Sequence, residues 1–269
     1  MTLSISSINI QLLISLIEDV GHEMMLLYAS NDYKIYEKND LTPLTEADLL
    51  AHHKICNALC SLYPDIPILS EESSNLFNSN NSRSYWAIDP LDGTKEFLNK
   101  NGEFTINVAL ITDEIPVFGL VYAPALNVMY WNDDRNSYKK TDQGITTLSK
   151  RVYRFTPELF NEYFKVATSR SHPSIELDIW LSQYTNFQQY SIGSSLKLCQ
   201  IADQTIDCYP RFGRTCIWDI AASHSILIAI SCDIRIIKIL LNGNTHSYEL
   251  QDSITYDPKN IYNDYFLAY

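Results

Sequence analysis

The stretch Trp86-Ala87-Ile88-Asp89-Pro90-Leu91-Asp92-Gly93-Thr94-Lys95-Glu96-Phe97 sets two carboxylates three residues apart at the end of an apolar run. Residues 85–89 have the length and bulk of a short buried strand, and Pro90 closes it, because proline has no N–H to extend a ladder. Such a strand delivers Asp89 at its tip, and Asp92 follows closely enough for both carboxylates to converge on one point. Gly93 lets the backbone approach a ligand. Thr94 opens a short helix, so the amides of Gly93 and Thr94 point outward as an anion site. Two hard oxygen ligands beside a phosphate cradle suit Mg2+, which takes carboxylates together with substrate phosphate oxygens. Taken alone, Asp-Pro-Leu-Asp-Gly is equally an ordinary solvated turn.

Two further blocks bear on that choice. Leu69-Ser70-Glu71-Glu72 ends the preceding apolar run, residues 66–70, in paired acids. Ile217-Trp218-Asp219-Ile220-Ala221-Ala222 sets one aspartate inside an otherwise apolar helix, residues 217–230. A lone buried carboxylate is costly unless paired or metal-bound, so Asp219 wants a cation; an exposed place on the helix's polar side is the plainer alternative. An aspartyl-phosphate enzyme of the haloacid-dehalogenase type needs its aspartates two apart, and a spacing of three argues against it. No activated Ser or Cys nucleophile is evident either.

The rest of the chain reads as mixed α and β. Ile8, Leu12, Leu13, Leu16, Ile17, Val20, Met24, Leu27 and Tyr28 recur at helical spacing, which predicts an amphipathic helix over 5–30. Thr45 caps a second helix that carries Asp48 in its first turn and stops before Pro64. Strands are expected over 105–112, 117–122 and 127–131, with Asp113-Glu114 and Asn132-Asp133-Asp134 as turns of an antiparallel meander. Residues 141–161 are polar and weakly periodic, and the seam between an N-terminal subdomain (1–150) and a C-terminal one (151–269) falls there, the two forming one compact unit. Beyond it, strands are expected over 164–168, 187–191, 206–209, 234–240 and 265–269, and helices over 173–184 and 194–202. Mixed strands and helices with an antiparallel portion imply layered α+β or α/β packing.

Composition narrows the function classes. The chain has 269 residues, 46% hydrophobic and 12% aromatic, enough for a sizeable core. Its net charge of −12 disfavours nucleic-acid polymers, whereas a small phosphorylated molecule is admissible where bound cations invert the local sign. The six cysteines show no framework spacing and read as reduced, buried thiols of a reducing compartment. The apolar stretch over 8–17 lacks a basic flank and is too short to span a bilayer, so neither signal peptide nor membrane anchor is expected. His22, His52, His53, His224 and His246 are assigned to packing or surface.

Taken together, the Glu-Glu pair, Asp-Pro-Leu-Asp-Gly-Thr and Trp-Asp-x-Ala, in this order, resemble the inositol monophosphatase superfamily over roughly residues 30–225. Finer features resemble its branch of CysQ-type 3′(2′),5′-bisphosphate nucleotidases. These are Lys38-Asn39-Asp40-Leu41-Thr42-Pro43-Leu44-Thr45-Glu46-Ala47-Asp48, Thr168-Ser169-Arg170-Ser171-His172, Gly193-Ser194-Ser195-Leu196-Lys197 and Tyr209-Pro210-Arg211-Phe212-Gly213. The resemblance implies an αβαβα five-layer sandwich with the site between its halves. It implies two or three Mg2+ held by Glu71, Asp89, the Leu91 carbonyl, Asp92 and Asp219. It makes Asp48, Thr94 and Glu71 catalytic, with Asp48 and Thr94 orienting and deprotonating the attacking water. The amides of Asp92, Gly93 and Thr94 hold the transferred phosphate, with Glu71, Leu91 and Asp219 around it. His172, Ser194, Lys197 and Arg211 are candidates for the second phosphate and the nucleoside; outside the family context, Lys197 and Arg211 read equally as surface cations.

The implied substrate is a small phosphorylated nucleotide, 3′-phosphoadenosine 5′-phosphate (PAP), in a lithium-sensitive reaction of sulfur metabolism. A cytoplasmic monomer or weak homodimer is expected, with peripheral attachment at the inner membrane implied by the resemblance alone. An inositol or sugar-bisphosphate phosphatase and a non-catalytic binder of phosphorylated metabolites are the alternatives. After about Ala229 the likeness falls off: relatives carry a glycine-containing turn there, whereas here Ile230-Ser231-Cys232-Asp233 stands.

Overall fold

A computed structural model describes residues 2–30, 32–37, 42–78, 82–151, 163–242 and 245–269. The Lys38-to-Leu41 part of the first nucleotidase-like block and residues 152–161 of the expected seam lie outside them.

The elements in chain order are α1 (Ile10–Ser30), β1 (Ile35–Glu37), β2 (Pro43–Thr45), α2 (Glu46–Leu62), β3 (Ile68–Ser70), a 3-10 segment (Glu71–Leu76), β4 (Ser84–Asp92), α3 (Thr94–Leu98), β5 (Thr105–Thr112), β6 (Ile115–Ala123), β7 (Val128–Asn132), β8 (Ser137–Thr141) and β9 (Gly144–Thr147). The second half contributes β10 (Phe164–Ser169), α4 (Ile175–Leu181), β11 (Phe187–Ile192), α5 (Leu196–Ala202), β12 (Tyr209–Arg211), α6 (Ile217–Ala229), β13 (Ile234–Asn242), β14 (Thr245–Ser253) and β15 (Phe266–Ala268). No helix among the described residues is long and apolar enough to cross a membrane.

Seven strands form the first sheet in sequence order from β3 to β9; only β3 and β4 run parallel, and the rest is the expected meander. Its β5–β6 hairpin turns on Asp113 (φ 51°) and Glu114 (φ 64°), two left-handed residues as a tight two-residue loop requires. The second sheet has the order β12-β15-β13-β14, and a bridge from Val166 to Cys208 carries the parallel β10–β11 pair onto its edge.

Alternation along the first sheet sorts side chains between two cores. Trp86, Ile88, Val108, Leu110, Phe118 and Leu120 face Leu13, Ile17 and Met24 of α1 and Ile55 and Leu59 of α2. Tyr85, Ala87, Ala109 and Val121 face the other way, onto Leu198 and Ile201 of α5, Ile220 and Leu227 of α6, and Tyr209, Ile234 and Phe266 of the second sheet. Leu177, Trp180 and Leu181 of α4 cover the far side of that sheet against Phe164, Val166, Ile237 and Leu267. The layers are therefore helix, sheet, helix, sheet, helix, the expected five-layer sandwich.

Small residues let the middle layer close. Ala87, Ala109 and Gly119 are cross-strand neighbours on β4, β5 and β6. A Cβ at Gly119 would stand 1.9 Å from the carbonyl oxygen of Ala222, so the backbone of α6 lies directly on the sheet at that point. This contact fixes the height of α6, and with it Asp219.

Four expectations need correction. Asp89 and Asp92 do not flank a turn: β4 continues through Asp92, pairing Asp89 with Asn107 and Asp92 with Thr105 across a bulge. Pro90 sits in that bulge, where no ladder donor is required. Asp219 lies in the first turn of α6 rather than its interior. The short pair β1–β2 and the strands β8, β9 and β14 were not expected. Cys60 is exposed and Cys56 and Cys216 are partly so, leaving Cys199, Cys208 and Cys232 as the buried thiols; none of the six forms a disulfide.

The divergent C-terminal part folds without its glycine. Ser231 adopts φ 67°, the left-handed conformation that glycine usually supplies, and the chain turns from α6 into β13. His224, buried in α6, bridges the Tyr256 hydroxyl (2.8 Å) and Asp233 Oδ1 (3.0 Å), which ties that turn to the C-terminal segment and bears out its assignment to packing.

Candidate active site

The two capping aspartates share one local design. Thr45 caps α2, and Asp48, third in the helix, accepts through Oδ2 from Thr45 N (2.7 Å) and Thr45 Oγ1 (2.5 Å). Cys216 caps α6, and Asp219, also third, accepts through Oδ2 from Cys216 N (2.7 Å). In each case a first-turn carboxylate satisfies an amide that the helix leaves orphaned, near the positive end of the helix dipole. Each carboxylate is thereby pinned through one oxygen. For Asp48 the other oxygen, Oδ1, receives the Thr94 hydroxyl at 3.4 Å.

The bulge in β4 re-aims Asp89 and Asp92 toward one cleft. Asp89 is 2% exposed, and its Oδ1 accepts from Leu91 N at 3.1 Å, bending its carboxylate over its own bulge. Asp92 Oδ2 accepts from Ser195 N (2.7 Å), Ser195 Oγ (2.7 Å) and Asn107 Nδ2 (3.4 Å). Gly93 follows at φ 95° and ψ 48°, a left-handed step that turns the chain from β4 into α3 and that a Cβ would strain.

Cleft and charge are matched unequally. Glu71, Asp89, Leu91, Asp92, Gly93, Thr94, His172, Ser194, Lys197, Arg211 and Asp219 all line one cleft of about 890 Å³. The sequence-derived residues are thus brought together, except Asp48, which stands behind Thr94. Burial pushes the Asp89 carboxyl well above the usual range, and repulsion from Glu71, Asp92 and Asp219 adds to it. Burial does the same to Asp219, helped by Asp92 and Glu71. Asp92 is raised by burial, with Lys197 and the Ser195 hydrogen bonds pulling it back. Carboxylates that desolvate and repel one another are a strained set without a cation between them, and all-oxygen donors suit a hard one. Among the described residues no three or more acidic, His or Cys side chains already close round one point, so the carboxylates line the cleft rather than forming a cage.

Cations occupy another part of the wall. Lys197 is 7% exposed and donates to the carbonyls of Ser194 (2.6 Å) and Ile192 (3.3 Å). Burial lowers its pKa to about 8, Asp92 opposing and Arg211 assisting. Arg211 is 8% exposed; Nη2 donates to the Arg214 carbonyl at 3.2 Å, while its buried Nε has no partner. Both are built into the fold, so the surface-cation reading fails. His172 stands at the mouth, its pKa lowered by the packing round its ring and by Arg211 and Lys95.

Two residues that hold the site were missed. Ser195 Oγ lies 2.7 Å from Asp92 Oδ2 and 2.7 Å from the Asp219 carbonyl, and it accepts from Asn107 Nδ2 at 2.8 Å. Asn107 in turn is held by Thr105 and reaches the Trp218 carbonyl. One hydroxyl, whose single proton serves one acceptor at a time, thus links the β4 carboxylate to the backbone carbonyl of Asp219 on α6. Nothing in Gly-Ser-Ser-Leu-Lys tells which serine does this; only the contact between residues 103 positions apart does. Removing a hydrogen bond to a charged group is worth about 1.5–3 kcal/mol. Ser195→Ala is therefore expected to lower kcat/KM roughly 10- to 100-fold with an unchanged circular dichroism spectrum, and wild-type kinetics would contradict this role.

With this geometry in view, the class is defined: a phosphatase-type sandwich with a carboxylate cleft between its sheets. The inositol monophosphatase family model matches residues 8–238, and the chain belongs to that family. It is 41% identical over 222 residues to the 3′(2′),5′-bisphosphate nucleotidase CysQ of Salmonella typhimurium, covering 82% of this chain and 87% of that one. It is 39% identical over 243 residues to the same-named protein of Buchnera aphidicola, covering 90% and 88%. Among solved structures, CysQ from Bacteroides thetaiotaomicron superposes with a TM-score of 0.74 at 28% identity, over 95% of this chain and 94% of that one.

Proposed function

We propose that this chain is a Mg2+-dependent 3′(2′),5′-bisphosphate nucleotidase that hydrolyses PAP to AMP and phosphate, removing a by-product of sulfur assimilation. The observation that carries the reading is a single cleft with two electrostatic regions, acidic at Asp89, Asp92 and Asp219, and cationic at the buried Lys197 and Arg211. A monophosphorylated polyol has no use for the second region; a bisphosphate does. Relatives named as nucleotidases at about 40% identity support it.

Glu71, Asp89, the Leu91 carbonyl, Asp92 and Asp219 would hold two or three Mg2+, two of which offset the four carboxylate charges. When bound, such ions polarise phosphoryl oxygens, lower the pKa of water and stabilise the leaving oxygen. Thr94 Oγ1 orients the attacking water, and Asp48 Oδ1, 3.4 Å from it, takes up the proton that Thr94 passes on. Thr45 keeps Asp48 from rotating by occupying Oδ2. The amides of Asp92, Gly93 and Thr94 hold the phosphate to be transferred. Lys197 and Arg211 hold the second phosphate, with Ser194 and His172 toward the nucleoside. The enzyme works as a monomer or weak homodimer in the cytoplasm, where six cysteines that form no disulfide remain reduced.

Product analysis tests the reading. Incubation of PAP with Mg2+ is expected to give AMP and inorganic phosphate, with turnover lost on chelation and inhibited by Li+. Adenosine 3′-phosphate as the product, or turnover indifferent to chelation, would overturn it. A pH effect follows from Lys197. Its charge is present below about 8 and lost above, so KM for PAP rises as pH passes through that value. A Lys197→Met variant should show the high KM throughout and lose this step; a variant that retains the wild-type pH profile of KM would contradict the assignment.

A further inference from the structure

We infer that Arg214 and Tyr262 form a stacking platform for the nucleobase of the substrate. The inference rests on the nucleotidase reading and gives it a specificity element. Both residues line the same cleft as the carboxylates and cations. Tyr262 is 45% exposed, and the Arg214 guanidinium sits 3.7 Å from the centre of its ring. A guanidinium that close to an aromatic face makes a cation–π pair, and the pair is a flat, delocalised surface.

The platform is anchored at both ends. Cys216 and Tyr262 form a β-bridge, flanked by Ile217 N to the Ile261 carbonyl (2.9 Å) and Asn263 N to the Thr215 carbonyl (3.0 Å). The Asn263 side chain adds bonds to Thr215 Oγ1 (3.0 Å) and the Cys216 carbonyl (2.7 Å). Tyr262 is thus fastened to the cap of α6, the helix that presents Asp219. On the other side, the Arg214 carbonyl accepts from Arg211, the cation assigned to the second phosphate. The platform therefore lies along the wall that continues from that phosphate. A planar base stacks on arginine and aromatic faces; a sugar or inositol ring offers no π-face to do so.

Wild type, Tyr262→Ala and Tyr262→Phe should be assayed on PAP and on inositol 1-phosphate, with AMP and ribose 5-phosphate as competing inhibitors. Stacking on an aromatic side chain is worth about 1–3 kcal/mol per base, or roughly 5- to 150-fold. Tyr262→Ala is expected to raise KM for PAP by that factor, to lower the kcat/KM preference for PAP over inositol 1-phosphate accordingly, and to erase the advantage of AMP over ribose 5-phosphate. Tyr262→Phe, which keeps the ring, should restore all three. The platform is refuted if Tyr262→Ala leaves these values at wild type, if KM rises equally for both substrates, or if Tyr262→Phe behaves as Tyr262→Ala. Failure of the nucleotidase reading shows separately, as poor PAP turnover by the wild type; the inhibition by AMP against ribose 5-phosphate still decides the platform in that case.

Discussion

Asp92→Asn is expected to remove at least about 4 kcal/mol of transition-state stabilisation, roughly a thousandfold or more in kcat/KM, while leaving the fold intact. The amide has the shape of the carboxylate and keeps an oxygen for the Ser195 amide, so the link between the halves survives. What it loses is a charge among four. Relief of repulsion on Asp219, whose carboxyl Asp92 pushes upward, should hold or slightly raise the melting temperature of the metal-free variant. Wild type should gain stability on adding Mg2+, by about 2.7 kcal/mol at a hundredfold excess over Kd, and the variant less. A fully active Asp92→Asn would remove the metal-site reading altogether.

The second large effect is structural. Gly119→Ala places a Cβ 1.9 Å from the Ala222 carbonyl oxygen, and the obstruction is backbone on both sides, so neither partner can rotate away. Overpacking a closed core usually costs about 1–3 kcal/mol, and a contact this short lies at or beyond the upper end. A drop in melting temperature of at least about 6 °C is expected, together with reduced turnover, because lifting α6 moves Asp219 and the Ser195 link. Thermal melts of Gly119→Ala at wild-type temperature would show that α6 does not rest on the sheet as described.

The capping threonine with Asp48 and the meander were legible because each follows from short-range rules. Thr45 caps and Asp48 returns the bond within four residues; residues 105–112 form the strand their β-branched alternation predicts. Elements with no buried face left no such signal. Every residue of β9 is exposed, and β1 likewise, so neither carries the apolar period that reveals a strand. The Asp89–Asp92 bulge was hidden for another reason. A turn and a bulge use the same Pro and Gly, and only pairing with Asn107 and Thr105 separates them. Ser195, Asn107, Arg214 and Tyr262 belong to the same category, since their roles come from contacts between segments far apart in the chain. The left-handed Ser231 shows that a missing glycine did not mean a missing turn.

The most direct test of the account is the ratio of kcat/KM for PAP over inositol 1-phosphate and fructose 1,6-bisphosphate, measured by phosphate release with Mg2+. Acidic and cationic regions in one cleft predict that PAP is preferred over inositol 1-phosphate by an order of magnitude or more, and the stacking platform for the base predicts that it is preferred over fructose 1,6-bisphosphate. Equal or better turnover of inositol 1-phosphate would contradict the account, because Lys197 and Arg211 would then hold no second phosphate.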